Sequence, residues 1–189
     1  MAAATYPVNY TVEYPERLSR WLIFVKWLLA LPHQIVLYGL AIAVAVTSFL
    51  AWWAILFTGR YPRGLHKFAV DVSRWSARVG AYTSLFRDEY PPFAFEADYP
   101  VTLQVEYSPR ITRWRLLFTG IILIPLFVVG LAYYLAYAVT AFIAFFAILF
   151  TGQYPKGLFD FGVGVNRFFI RLNMYSNLLC VGYPPFGLT

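Results

Sequence analysis

Lys26, His33 and Gln34 are the residues of this 189-residue chain best placed to do chemistry in an apolar setting. All three fall between Trp21 and Phe57, a stretch whose only formal charge is Lys26. An ionisable group inside a membrane is costly to hold and often handles a proton, an ion or a ligand. His33 therefore reads as a ligand or proton site, set against the plainer role of a hydrogen-bonded interior histidine. No carboxylate lies in its own segment, which favours the plainer role. Lys26 is expected to snorkel its ammonium towards an interface. Arg74 and Arg78, and Arg167 and Arg171, stand four residues apart, which puts each pair on one face of a helix. With Lys67 they are the candidate contacts for anionic lipid headgroups. The plainer reading is a solvated basic face.

Other chemistry finds little to stand on. One cysteine, Cys180, and two histidines, His33 and His66, supply no metal-ligand cluster. No Ser-His-Asp arrangement can be assembled around either histidine. Gly157, Gly162 and Gly164 follow no strand and precede no phosphate-binding lysine, and Gly162 and Gly164 are expected to permit close helix packing. The expectation is a non-enzymatic protein with no metal and no cofactor.

Composition says what surrounds these residues. The chain is 60% hydrophobic, 21% aromatic and only 13% charged. Soluble domains average roughly 45–50% apolar and about 25% charged. Lipid is the solvent that such a chain can meet on most of its surface. A net charge of +6 then points to anionic headgroups before nucleic acid.

The elements come in two copies. Tyr6-Pro7-Val8 recurs as Tyr99-Pro100-Val101, and Val12-Glu13-Tyr14 as Val105-Glu106-Tyr107. Arg20-Trp21 recurs as Arg113-Trp114, and Pro32 as Pro125. Ala54 to Gly59 recurs unchanged as Ala147 to Gly152. Tyr90-Pro91-Pro92-Phe93 recurs as Tyr183-Pro184-Pro185-Phe186. The offset is 93 residues throughout, with about 38 identities in 90 aligned pairs. The chain is thus two units, 6–95 and 99–188. The repeated Phe-Thr-Gly-x-Tyr-Pro-x-Gly element and the Tyr-Pro-Pro-Phe end resemble a bacterial membrane family known as domain of unknown function 4389. That resemblance covers both units. It implies a bacterial membrane protein, and it carries no activity or functional residue to transfer. The second unit has Leu126 where the first has His33.

Each unit opens with strict alternation, at 6–14 and 99–107, the pattern of a half-buried strand. Two equivalent strands can pair in a small sheet outside the hydrocarbon. Membrane segments follow at 18–57 and 111–150. The apolar stretch in each is about 35 residues long, whereas one crossing needs about 20. Basic residues flank both ends of both segments, which under the positive-inside rule keeps the ends and the termini cytoplasmic. Each stretch is either one kinked and tilted helix or a hairpin of two short helices; the hairpin is favoured, turning near Tyr38-Gly39 and Gly130-Leu131, with Pro32 and Pro125 kinking the first arms. Amphipathic helices at 63–86 and 156–179 are expected to lie in the interface, apolar face to lipid. The fold class is a mainly α, multi-pass protein of the bacterial inner membrane with two tandem repeats and a small extramembrane sheet. The favoured function is a scaffold or accessory subunit of a membrane complex, binding lipids and membrane-protein partners or itself. Membrane shaping or anionic-lipid binding is the alternative, and a small transporter or channel the third.

Overall fold

The computed structural model describes residues 6–108 and 110–188. The element order is β1 (Val8–Val12), α1 (Leu22–Leu29), α2 (Leu31–Thr58), α3 (Arg63–Thr83), β2 (Val101–Val105), α4 (Arg113–Thr151) and α5 (Lys156–Ser176). The chain is mainly helical, with a small sheet and the same element sequence in each unit.

The two alternating segments form the sheet. β1 and β2 pair antiparallel, with Val8 opposite Val105 and Val12 opposite Val101. Tyr10 and Leu103 are counterparts in the repeat and face each other, so the local twofold passes between them. Period two sends Val8, Tyr10, Val101 and Leu103 inward and leaves Asn9, Thr11, Thr102 and Gln104 exposed. A Thr11–Thr102 hydroxyl contact of 2.6 Å bridges the polar face.

The hairpins are not present. α2 runs unbroken through Tyr38-Gly39, and α4 through Gly130-Leu131. A turn there would free backbone N–H and C=O groups in a run with no polar side chain to receive them, whereas a continuous helix satisfies them all. Gly130 has a packing role instead. A Cβ on it would lie 3.4 Å from the rings of both Phe168 and Phe169. The first stretch does break, at Ala30, and Pro32 sits in the opening turn of α2, where its missing N–H costs least. Pro125 is carried inside α4 without ending it. α2 and α4 end at Gly59 and Gly152, with φ of 69° and 72°. This left-handed cap is open to glycine at little cost.

α3 and α5 differ from expectation in what covers them. Their polar faces meet the sheet, and their apolar faces meet the long helices of the same chain. Trp75 of α3 reaches His33 of α2, and Phe168 of α5 reaches Gly130 of α4. The inner stripes of the long helices supply the apolar partner that lipid was expected to supply. Buried Ala69, Ala77, Phe159, Val163, Ile55 and Ile148 knit the layers into one core.

The units close on each other reciprocally. Leu18 N–H donates to Gly152 O at 2.8 Å, and Ile111 N–H to Gly59 O at 3.0 Å. Tyr14 and Tyr107 hydroxyls donate to the carbonyls of Tyr154 and Tyr61 at 2.5 and 2.7 Å. Each long helix therefore ends against the segment leading into the other.

Two stretches, Leu22–Thr58 and Arg113–Thr151, are long and apolar enough to cross a membrane. Only 11% and 17% of their most apolar windows are buried. The core helix of a soluble protein is mostly covered. These are not.

Candidate functional site

Polar side chains converge in one place, along the inner side of the first long helix. Lys26 projects from α1 and is 1% exposed. Its Nζ lies 2.7 Å from Asp88 Oδ1, donates to the Arg87 carbonyl at 2.8 Å and sits 5.2 Å from the Tyr82 ring centre. Asp88 stands five residues beyond α3 and its other oxygen accepts the Ser19 N–H at 2.5 Å. Arg87 makes a two-point ion pair with Glu89, at 2.6 and 2.9 Å, and donates to the Glu13 carbonyl. Partial burial pushes the Glu89 carboxyl up, but the Arg87 guanidinium, a backbone hydrogen bond and the Lys26 charge together hold the group below the usual range. Lys26 thus does not snorkel. It is turned inward by a carboxylate from another element.

About two turns further along, His33 is fully buried. Trp75 Nε1 donates to its Nδ1 at 3.1 Å, which leaves the ring proton of the neutral form on Nε2. Phe93 stacks on the imidazole at 3.8 Å between centroids and 13° between planes, and Tyr90 leans on it at 4.9 Å. The Tyr-Pro-Pro-Phe end of the first unit is therefore the lid over His33. This is an aromatic cage around an interior histidine, whose Nε2 has no hydrogen-bond partner among the described residues. Gln34, its neighbour, is exposed.

The arginine pairs bind the chain's own backbone. Arg74 Nε donates to Leu103 O at 3.1 Å, and its guanidinium meets Asp71 at 2.8 Å. Arg78 gives two bonds, 2.6 and 2.8 Å, to the carbonyls of Ala94 and Phe95. Arg167 bonds Tyr10 O and Leu188 O, both at 2.9 Å, and Arg171 bonds Val8 O at 3.3 Å. Arg78 and Arg171 are buried, and burial lowers both guanidinium pKa values. Lys67 bridges Asp71 at 2.7 Å and Glu96 at 3.2 Å, and these hydrogen bonds raise its pKa. Arg74, Arg167 and Arg171 thus hold one sheet against two helices, and Arg78 holds the 94–95 segment beside it.

His66 is the other buried histidine. Its Nε2 lies 2.9 Å from Leu179 O, with Tyr61 and Tyr107 edge-on around it. Among the described residues no group of three His, Cys, Asp or Glu is placed to hold a metal ion. A cavity of about 280 Å³ lies between α3 and α5, with Tyr10, Ser73, Ser76, Asn166, Asn173 and Met174 on its walls.

Sequence reasoning missed Asp88, Arg87, Glu89 and Trp75. A signal was there. Lys26, His33, Arg87 and Asp88 correspond to Thr119, Leu126, Cys180 and Val181 in the second unit. Polar and apolar sets have been exchanged together, as expected of residues in contact.

The sequence profile of the domain of unknown function DUF4389 matches this chain twice, at residues 20–94 and 113–187. The chain belongs to the DUF4389 family. Both matches begin at an Arg-Trp pair and end one residue past a Tyr-Pro-Pro-Phe segment, so each DUF4389 unit holds one long apolar stretch, one amphipathic helix and one Tyr-Pro-Pro-Phe end. No curated protein and no solved structure matches the chain.

Proposed function

We propose that this DUF4389 chain is a non-enzymatic, membrane-seated protein that serves a membrane complex as a scaffold or accessory subunit. The observation that carries the reading is the exposure of the two long apolar helices, whose most apolar windows are only 11% and 17% buried. Apolar surface on that scale needs lipid or a partner to cover it. The polar residues support the same reading. Lys26, Arg74, Arg78, Arg167 and Arg171 are engaged in internal hydrogen bonds. The polar outer face of the sheet, Asn9, Thr11, Thr102 and Gln104, is exposed for a partner in water. The bacterial inner membrane is the proposed location, with the sheet on the cytoplasmic side.

Carbonate extraction of native membranes tests the seat: the protein stays with the lipid. Photo-crosslinkers at Thr11 and Gln104 test the scaffold, by yielding a defined adduct in native membranes. Release by carbonate, or a monomer in mild detergent with no adduct from either position, would remove the basis of the proposal.

A second reading is membrane shaping through anionic-lipid binding. Exposed Arg17, Arg20, Arg60, Arg63, Arg110 and Arg113 at the ends of the long helices favour it. Reconstitution into phosphatidylglycerol-containing vesicles, followed by electron microscopy, tests it; vesicles of unchanged shape argue against it.

A further inference from the structure

We infer that α1–α2 and α4 lie along the membrane plane within one leaflet, held at both ends by arginines on anionic headgroups. The inference rests on the membrane seat proposed above and says how the protein sits there. The observation behind it is the height of the sheet relative to the long helices. Arg74 and Trp75 are neighbours on α3. Arg74 bonds Leu103 at the centre of the sheet, at 3.1 Å, while Trp75 bonds His33 within the first apolar stretch, also at 3.1 Å. Arg167 and Phe168 repeat this on α5. Arg167 bonds Tyr10 at the sheet centre, at 2.9 Å, while Phe168 lies against Gly130, two residues from the middle of α4. The sheet therefore stands beside the middle of α4 and about a third of the way along the Leu22–Thr58 stretch, and not beyond an end of either.

A helix along the membrane normal would carry that sheet to the hydrocarbon midplane. A two-stranded sheet there has two edges with no further strand beside them among the described residues; arginines reach the carbonyls of Leu103, Tyr10 and Val8, but charged caps and any backbone group left unpaired are costly in lipid. Exposed Lys67 and Glu96 would go in with it, beside Thr11 and Thr102. Length gives the same answer. α4 has 39 residues. At 1.5 Å per residue it is roughly 58 Å long, about twice a hydrocarbon core of roughly 30 Å. Lying flat removes both conflicts.

The exposed surface fits a leaflet. Large apolar side chains run the whole length of both helices, from Ile35 through Val46 to Phe57 and from Ile121 through Leu131 to Phe142. The two helices meet at both ends, through Gly59–Ile111 and Leu18–Gly152. Each meeting point is basic. Exposed Arg60, Arg110 and Arg113 surround the first, where a shallow recess of about 420 Å³ includes Thr58 and Thr112. Exposed Arg17 and Arg20 stand at the second. None of these five is in an ion pair among those found in the described residues. Phosphates of a single headgroup layer are the anions within reach of both ends at once.

Depth measurement tests the inference. The full chain is placed in vesicles of phosphatidylcholine and phosphatidylglycerol, with single spin labels at positions 35, 46, 121, 131 and 142. Every label should lie at one shallow depth, roughly 5–10 Å below the headgroups. A profile that deepens to the bilayer centre at position 131 and rises at 121 and 142 would overturn the inference while leaving the membrane seat intact. Release of the protein by carbonate would instead sink the seat and the inference with it. The triple variant R60Q/R110Q/R113Q gives the second readout. Its preference for spin-labelled phosphatidylglycerol over phosphatidylcholine should fall by about a hundredfold, at roughly fivefold for each near-surface arginine. A preference unchanged from the parent would overturn the anchoring by headgroups.

Discussion

Replacing Asp88 by valine, the residue at the counterpart position 181, should destabilise the chain more than replacing its partner does. Asp88→Val leaves the Lys26 ammonium in a site where it is 1% exposed, with the Arg87 carbonyl and the Tyr82 ring as its remaining partners. Removing one member of a buried ion pair costs about 3–5 kcal/mol, and the surviving carbonyl bond puts this case near 3 kcal/mol. For a chain of this length that lowers Tm by roughly 6–12 °C, at about 2–4 °C per kcal/mol. Lys26→Thr copies the second unit's Thr119 and strands a different group. The Asp88 side chain is 25% exposed and keeps the Ser19 N–H, so it can turn to water. That change should cost about 1 kcal/mol. The double variant carries the second unit's own pair and should cost less than the sum of the singles, with a coupling of about 2 kcal/mol. Thermal unfolding of all four chains in one mild detergent, followed by near-ultraviolet circular dichroism, measures the cycle. Equal losses from the two singles, adding to within about 0.5 kcal/mol, would refute the paired-charge account.

Further predictions concern groups on α3 and α5. Burial holds the His66 ring below the ordinary imidazole range, against the pull of the Leu179 carbonyl and with the help of the Arg74 charge. The unfolded chain therefore takes up a proton near pH 6.5 while the folded chain does not, so stability falls as pH drops through that value and levels off below the folded pKa. His66→Phe, matching Phe159, should flatten this part of a Tm-against-pH curve. Arg78→Met removes two charge-assisted bonds to Ala94 and Phe95, at a cost of roughly 3 kcal/mol, and limited proteolysis should then cut first between residues 94 and 98. Gly162→Ala places a Cβ 2.9 Å from Phe86 and 3.1 Å from Tyr137. It should lower stability by about 1–3 kcal/mol in the same unfolding assay.

Local signals were legible in the sequence, and contacts between distant segments were not. Alternation at 6–14 and 99–107 located both strands, and three- and four-residue spacing located α3 and α5 to within a few residues of their ends. The duplication even implied the sheet pairing, since two equal strands about a twofold must run antiparallel. The hairpin reading failed because a glycine in an apolar run marks either a turn or a close approach, and only the position of Phe168 and Phe169 decides between them. Lys26 was misread for a related reason. Its partner, Asp88, lies 62 positions away and outside the apolar segment, where no periodicity reaches it. The arginine pairs were correctly placed on one helix face, but a helix face does not say whether headgroups or carbonyls stand opposite.

The reciprocal closure of the two units has a historical consequence. Leu18 seals the end of α4, Ile111 seals the end of α2, and among the described residues β1 pairs with β2 alone. A chain of one unit would offer each of these bonds and receive none of them from itself. Its most economical closure is on a second copy of itself, so the present chain has the form of a homodimer whose subunits were later joined through Glu96-Ala97-Asp98. Fusion lifts the requirement that both halves carry the same residues. Lys26, His33 and Asp88 on one side, with Thr119, Leu126 and Val181 on the other, are the asymmetry that a true dimer could not have evolved.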